Sequence, residues 1–256
     1  MGVGMTRIGA RRALILGLAV GSVATLFQAQ EVTASPATVK HYTIIGASIT
    51  RLSTPGLRAY VPGIKVDALD GRSWEIPPSH GGPTLWEAYQ HDVQFLRAGD
   101  WLVMENGNGS VPIAAAGARP MTATDVRLDV ATNTEYVDKL IASLPPGICL
   151  AWVLPHVYYG AQTPVMVQWN ADMAALLNDR VPKVACHALV PWDKLVNAWA
   201  QIRLSQGVIT AAMAQLGEPL LYDGRHPTFP TGTGSRFGPG AARYGRAVGQ
   251  AVGTAK

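Results

Sequence analysis

Five short apolar runs punctuate the chain, at residues 43–45, 64–69, 101–105, 148–154 and 184–189. They are rich in β-branched and aromatic residues and bounded by Gly, Pro, Asn and Asp, the signature of buried strands. The run 148–154 has almost no polar residue, as expected of a strand covered on both faces of a parallel sheet. Between the runs, apolar residues return at helical spacing. Thr84 is placed to cap a helix reaching about Arg97, with Leu85, Tyr89, Val93 and Leu96 on one face. Further helices are predicted at 133–143 (stopped by Pro145-Pro146-Gly147), at 164–179, at 193–216 in one or two pieces, and from 240 to about 252. Loops are predicted at 75–83 and 110–123, and residues 50–63 read as turns around a short amphipathic piece.

Strands alternating with helices over about 220 residues predict one α/β domain: a three-layer α/β/α sandwich around a mainly parallel five-stranded sheet. No internal repeat and no linker divides it. Residues 1–34 stand apart. Arg7, Arg11 and Arg12 precede an uncharged run from Ala13 to Phe27, and a small-residue stretch follows at 32–37, the order of a secretory signal peptide. The run is 15 residues, shorter than the roughly 20 of a membrane span. A cleaved leader (1–34) and a mature domain (35–256) are therefore expected, with an uncleaved signal anchor as the other reading. The product would be secreted or held in the cell envelope or periplasm, meeting the membrane only during export.

Setting the leader aside changes the charge picture. The chain has 21 basic and 17 acidic residues; without the leader's three Arg and Glu31, 18 and 16 remain, a net +2. No basic cluster with interleaved aromatics is left, which argues against nucleic-acid binding. Export permits a disulfide, and the two cysteines, Cys149 and Cys186, sit in strand-like runs where a bridge and two buried thiols are both open.

Candidate chemistry collects where strands give way to loops: Ser48 after the first run, Gly71 after the second, Asn106-Gly-Asn-Gly109 after the third, and Asp223-Gly-Arg-His226 near the end. In an open parallel sheet these ends share one edge, where ligands bind. A serine needs an adjacent base to act as a nucleophile. His226 has an acid three residues before it, and the near-neutral pKa of a histidine suits taking and returning a proton. Asp223, across a turn allowed by Gly224, is placed to orient that imidazole.

The order Ser, Gly, Asn, then Asp-x-x-His followed by a Gly/Ala-rich last helix resembles the SGNH (GDSL-like) hydrolase superfamily, over about residues 43–250. The block Gly46-Ala-Ser48 departs from that family's Gly-Asp-Ser, with Ala47 in place of the acid, which is not the triad member. The resemblance implies a flavodoxin-like sandwich, Ser48, Asp223 and His226 as the catalytic triad, and an oxyanion hole formed by the Ser48 and Gly71 amides and the Asn108 carboxamide. Asn106 is the alternative to Asn108. It implies an exported esterase or lipase-type hydrolase cleaving short-chain or acetyl esters of small molecules, glycans or lipids, without metal or organic cofactor. The alternatives are an O-acyltransferase acting on envelope glycans and a non-catalytic binding domain.

Other chemistries find less support. His80, His91, His156 and His187 lack the two-His spacing of a zinc site. The glycines at 232–240 carry no Gly-Lys-Ser/Thr. Asp100 and Glu105 flank the third run without a second placed acid for a glycosidase. Trp74, Trp86, Tyr158, Tyr159 and Trp169 fit either the core or an acceptor cleft.

Overall fold

A computed structural model of the 256-residue chain describes residues 39–78, 80–106, 122–156, 164–196 and 238–255. In chain order the elements are β1 (Tyr42–Gly46), α1 (Ser48–Leu52), α2 (Thr54–Tyr60), β2 (Lys65–Ala68), α3 (Leu85–Val93), β3 (Trp101–Met104), α4 (Ala123–Ser143), β4 (Cys149–Val153), α5 (Pro164–Arg180), β5 (His187–Val190) and α6 (Pro239–Ala251). A 3₁₀ turn, Val181–Lys183, closes α5, and residues 192–196 are helical. The sheet order is β2-β1-β3-β4-β5, with every neighbouring pair parallel.

The period of two along each strand sorts its side chains into the two cores of a three-layer sandwich. Ile44, Val103, Ala151 and Val153 face the layer built by α2 and α6, where Leu57, Val61, Tyr244 and Val248 meet them. Ile45, Leu102, Met104, Leu150 and Trp152 face the other layer, against Leu85, Tyr89, Val137, Leu140 and Leu177 of α3, α4 and α5. All four residues of β3 and all five of β4 are buried, as a doubly covered parallel strand requires.

Two helices on the first layer cross at backbone contact. A Cβ on Gly245 of α6 would fall 2.3 Å from the carbonyl carbon and oxygen of Gly56 in α2. A Cβ on Gly56 would meet the Ala241 carbonyl oxygen at 1.9 Å. The small-residue composition of the last helix thus has a packing cause.

The predicted strands are all present, with β5 beginning three residues later than expected. The cap at Thr84 is a full capping box: its hydroxyl accepts from the Glu87 N–H (3.2 Å), and the Glu87 carboxylate accepts from the Thr84 N–H (2.8 Å). This helix ends at Val93 rather than Arg97. The expectation for 133–143 was too short, because α4 begins ten residues earlier. A second capping box, Thr122 with Asp125, starts it. Cys149 and Cys186 form a disulfide, Cα atoms 4.6 Å apart, which clamps β4 to the entry of β5 and decides between bridge and thiols. Among the described residues, no helix is long and apolar enough to cross a membrane.

Candidate active site

From β1 the chain crosses to β2 on one side, then returns to β3 on the other. The carboxyl ends of β1 and β3 therefore border the topological switch point of the sheet, where ligands of this fold class bind. Ser48 lies two residues beyond β1, Gly71 three beyond β2, and Asn106 two beyond β3. The register pairs Gly46 with Ala68 and Ile45 with Met104, so these three turns adjoin. The structure thus brings Ser48, Gly71 and the start of the Asn-Gly-Asn-Gly stretch to one edge. Asn108, Asp223 and His226 lie outside the described residues, as do Tyr158 and Tyr159 and the leader.

Ser48 is the first residue of α1 and is buried. Its helix begins at Ala47, whose methyl group can accept nothing, so no side-chain cap comes from the N-cap residue. Glu105 reaches the turn instead. Its Oε2 accepts from the Ala47 N–H at 3.0 Å, the Thr50 N–H at 3.3 Å and the Thr50 hydroxyl at 3.0 Å. The Thr50 oxygen is also 2.9 Å from the Tyr244 hydroxyl of α6. Burial, reinforced by the Glu105 charge, pushes the Tyr244 hydroxyl well above the usual tyrosine range. Gly46 is required by this arrangement, since a Cβ there would fall 2.5 Å from Thr50 Oγ1 and 2.8 Å from Glu105 Oε2.

Gly71 sits at φ +70°, a left-handed conformation that suits glycine, in the turn that closes β2. On its amino side Asp70 pairs with Arg51 of α1 at 2.6 Å, both partners about half exposed. On its carboxyl side the guanidinium of Arg72 is fully buried and held by Asp67, through the carboxylate at 2.8 Å and the backbone carbonyl at 3.1 Å. The turn is tied on both flanks.

Asn106 belongs to a buried polar network under the same edge. Its carboxamide donates to Asn133 Oδ1 at 2.7 Å and accepts from the Trp152 indole at 3.5 Å. Asn133 Oδ1 also accepts from the Trp74 indole at 2.7 Å, and its NH₂ donates to the Asp129 carbonyl and carboxylate, each at 2.8 Å. Asp129 in turn accepts from the Trp169 indole at 2.7 Å. Trp74 and Trp169 are buried in these contacts and Trp86 is half-buried, against Tyr89 and Tyr136.

Asp100 and Glu105 stand at opposite ends of β3. Asp100 is buried at the amino end, accepting from the His41 and Arg97 amides, both at 2.8 Å. His156, beyond β4, is buried edge-on against Trp192, ring centroids 6.1 Å apart. Among the described residues, no group of three His, Cys, Asp or Glu is gathered to hold a metal ion. Glu105 stood out in the sequence only as an acid flanking the third run, and Asn133 only as the start of a predicted helix; neither network role was visible there. The Glu105 contacts span 55 residues or more, and those of Asn133 to Asn106 and Trp74 span 27 and 59, so no local motif marks them. A carboxylate at the end of a wholly apolar strand was the one available signal for Glu105.

The five-stranded parallel sheet, its strand order and its helical layers make this a flavodoxin-like α/β/α protein with the fold of the SGNH (GDSL-like) hydrolases. Among solved structures, the chain is similar to the C-terminal catalytic domain of peptidoglycan O-acetyltransferase A from Streptococcus pneumoniae. The two are 17% identical, with a TM-score of 0.54, covering 84% of this chain and 94% of that one. It is also similar to a catalytic mutant of the acetylxylan esterase Axe2 from Geobacillus stearothermophilus (16% identity, TM-score 0.54, 84% and 94% covered). A second variant of that esterase matches at 16% identity and a TM-score of 0.50, covering 85% and 96%. No protein-family model matches the chain, and neither does any curated protein sequence.

Proposed function

We propose that the protein is an exported serine esterase that cleaves short acyl, foremost acetyl, esters through an acyl-enzyme. Ser48 Oγ attacks the ester carbonyl while His226 takes its proton, and Asp223 holds the imidazole in the required tautomer. The Ser48 and Gly71 amides and the Asn108 carboxamide stabilise the oxyanion. The leaving alcohol takes the proton back from His226, and water, deprotonated by the same histidine, releases the acid. The observation that carries this reading is a buried serine at the first residue of a capped turn, beside the switch point, with a left-handed glycine in the turn after the neighbouring strand.

The acetyl preference is supported by similarity to an acetylxylan esterase and to a peptidoglycan O-acetyltransferase. Export is supported by the leader-like residues 1–34 and by the disulfide, a bond at home in oxidising compartments. The carboxamide of Asn106 is engaged by Asn133 and Trp152, which supports giving the oxyanion role to Asn108.

The test is hydrolysis of p-nitrophenyl acetate by the wild type, Ser48→Ala and His226→Ala. Activity lost in both variants, with melting temperatures unchanged, is the expected result. Equal activity in wild type and Ser48→Ala would overturn the reading. A second reading, transfer of the acyl group to a glycan hydroxyl, follows from the similarity to the O-acetyltransferase. Both share the first half-reaction. Acetylated oligosaccharide formed in preference to acetate, when a glycan acceptor is added, would select the transferase.

A further inference from the structure

The turn that carries Ser48 lacks the local cap that a helix start normally uses. In a capping box, the N-cap side chain accepts from the N3 amide and the N3 side chain accepts from the N-cap amide. In α1 those two amides belong to Ala47 and Thr50, and both donate to one oxygen of Glu105, a residue of another strand end. We infer that Glu105 is the positioning residue of the nucleophile turn, supplying from the end of β3 the cap that position 47 cannot. The inference rests on Ser48 being the nucleophile.

Residues 47 and 50 bracket Ser48. Holding both amides on one buried acceptor fixes the backbone between them, and with it the direction of Ser48 Oγ and of the Ser48 N–H that the oxyanion requires. The side-chain contacts reinforce the same point. Thr50 has one hydroxyl proton and gives it to Glu105, so the 2.9 Å contact with Tyr244 has the phenol donating to Thr50. The chain Tyr244 to Thr50 to Glu105 runs in one direction and ends on the carboxylate. Gly46 leaves the space in which that carboxylate lies. Bonds to an ionised acceptor are about twice as strong as neutral ones, which suits a carboxylate to hold a turn that substrate must press against. Glu105 holds two amides and the Thr50 hydroxyl of the turn, and so acts through Ser48.

Three substitutions separate position from charge. Glu105→Gln keeps an oxygen at full reach without the charge, Glu105→Asp keeps the charge about one methylene short, and Glu105→Ala removes both. Each is assayed with p-nitrophenyl acetate and with a fluorophosphonate. In the latter reaction the Ser48 Oγ–P bond forms, the P–F bond breaks, the serine proton goes to His226 and fluoride leaves. Amide hydrogen exchange of peptides spanning residues 43–57 is followed in parallel, with α4 peptides as control.

Glu105→Gln is expected within about fivefold of wild type. Glu105→Asp should lose about tenfold and Glu105→Ala about a hundredfold in kcat and in labelling rate, with KM within threefold, the upper loss being that of a misdirected oxyanion donor. Exchange over 43–57 should rise in the Asp and Ala variants alone. An Asp variant as active as the Gln variant would overturn the positioning role, and that comparison decides even where Glu105→Ala does not fold. Unchanged exchange over 43–57 in Glu105→Asp overturns it as well. Should the wild type neither cleave the ester nor label at Ser48, the esterase reading falls. The exchange of 43–57 then still decides whether Glu105 holds the turn.

Discussion

Replacing Asn133 with alanine would strip the acceptor from the Trp74 indole and the Asn106 carboxamide together, two donors buried where water cannot take over. At about 1–3 kcal/mol for each stranded group, a loss of roughly 2–6 kcal/mol is expected in thermal or urea unfolding. Asn106→Ala should likewise lower the melting temperature, whereas Asn108→Ala should leave it in place and cut kcat by about 10²–10³. The reverse pattern would give the oxyanion role to Asn106. Asp193 offers a test by pH. Its burial, only partly offset by the Lys194 amide and charge, raises its pKa in the folded state. A raised carboxyl pKa costs stability once the pH lies above it, and the cost fades as the pH falls through it toward the ordinary range of about 4. Asp193→Asn should therefore melt higher than wild type near pH 7 and lose that advantage on acidification; an advantage that grows in acid would contradict the assignment. At this scale Ser48 and Gly71 were legible because each follows a strand within two or three residues. Glu105 was not, because the amides it caps are written 55 and 58 residues earlier.

The helices and strands were legible wherever a period and a start signal coincided, as at Thr84. Where they did not, the structure extends the reading. The first ten residues of α4 carry weak periodicity, so its start is marked only by the Thr122–Asp125 box, which borders a run of small residues. The bridge between Cys149 and Cys186 depends on β4 and β5 being neighbours, a fact of sheet order that spacing alone does not contain. Closing a loop across a separation of 37 residues restricts the unfolded chain by about 4 kcal/mol on the chain-entropy account. The Cys149→Ala/Cys186→Ala double variant should lose stability of that order, and reduction should lower the melting temperature of the wild type but not of the variant. The α2–α6 crossing makes a sharper demand. Gly245→Ala drives a methyl group into the Gly56 carbonyl and should cost about 1–3 kcal/mol, while lowering kcat because it displaces the neighbouring Tyr244 from Thr50.

At the scale of the whole molecule, the turn that carries Ser48, near the start of the domain, leans on a tyrosine 194 residues from Thr50. A growing or translocating chain can therefore pair its first strands long before it can complete this turn, since contacts of such sequence separation form only after costly loop closure. Activity would then switch on at the end of synthesis rather than gradually with it. A chain cut short before α6 would keep Ser48 but not the partner that backs its turn, leaving a serine without a competent site. On the proposed reading as an exported esterase, that ordering amounts to a safeguard: partly made chains are spared from attacking esters inside the cell that makes them.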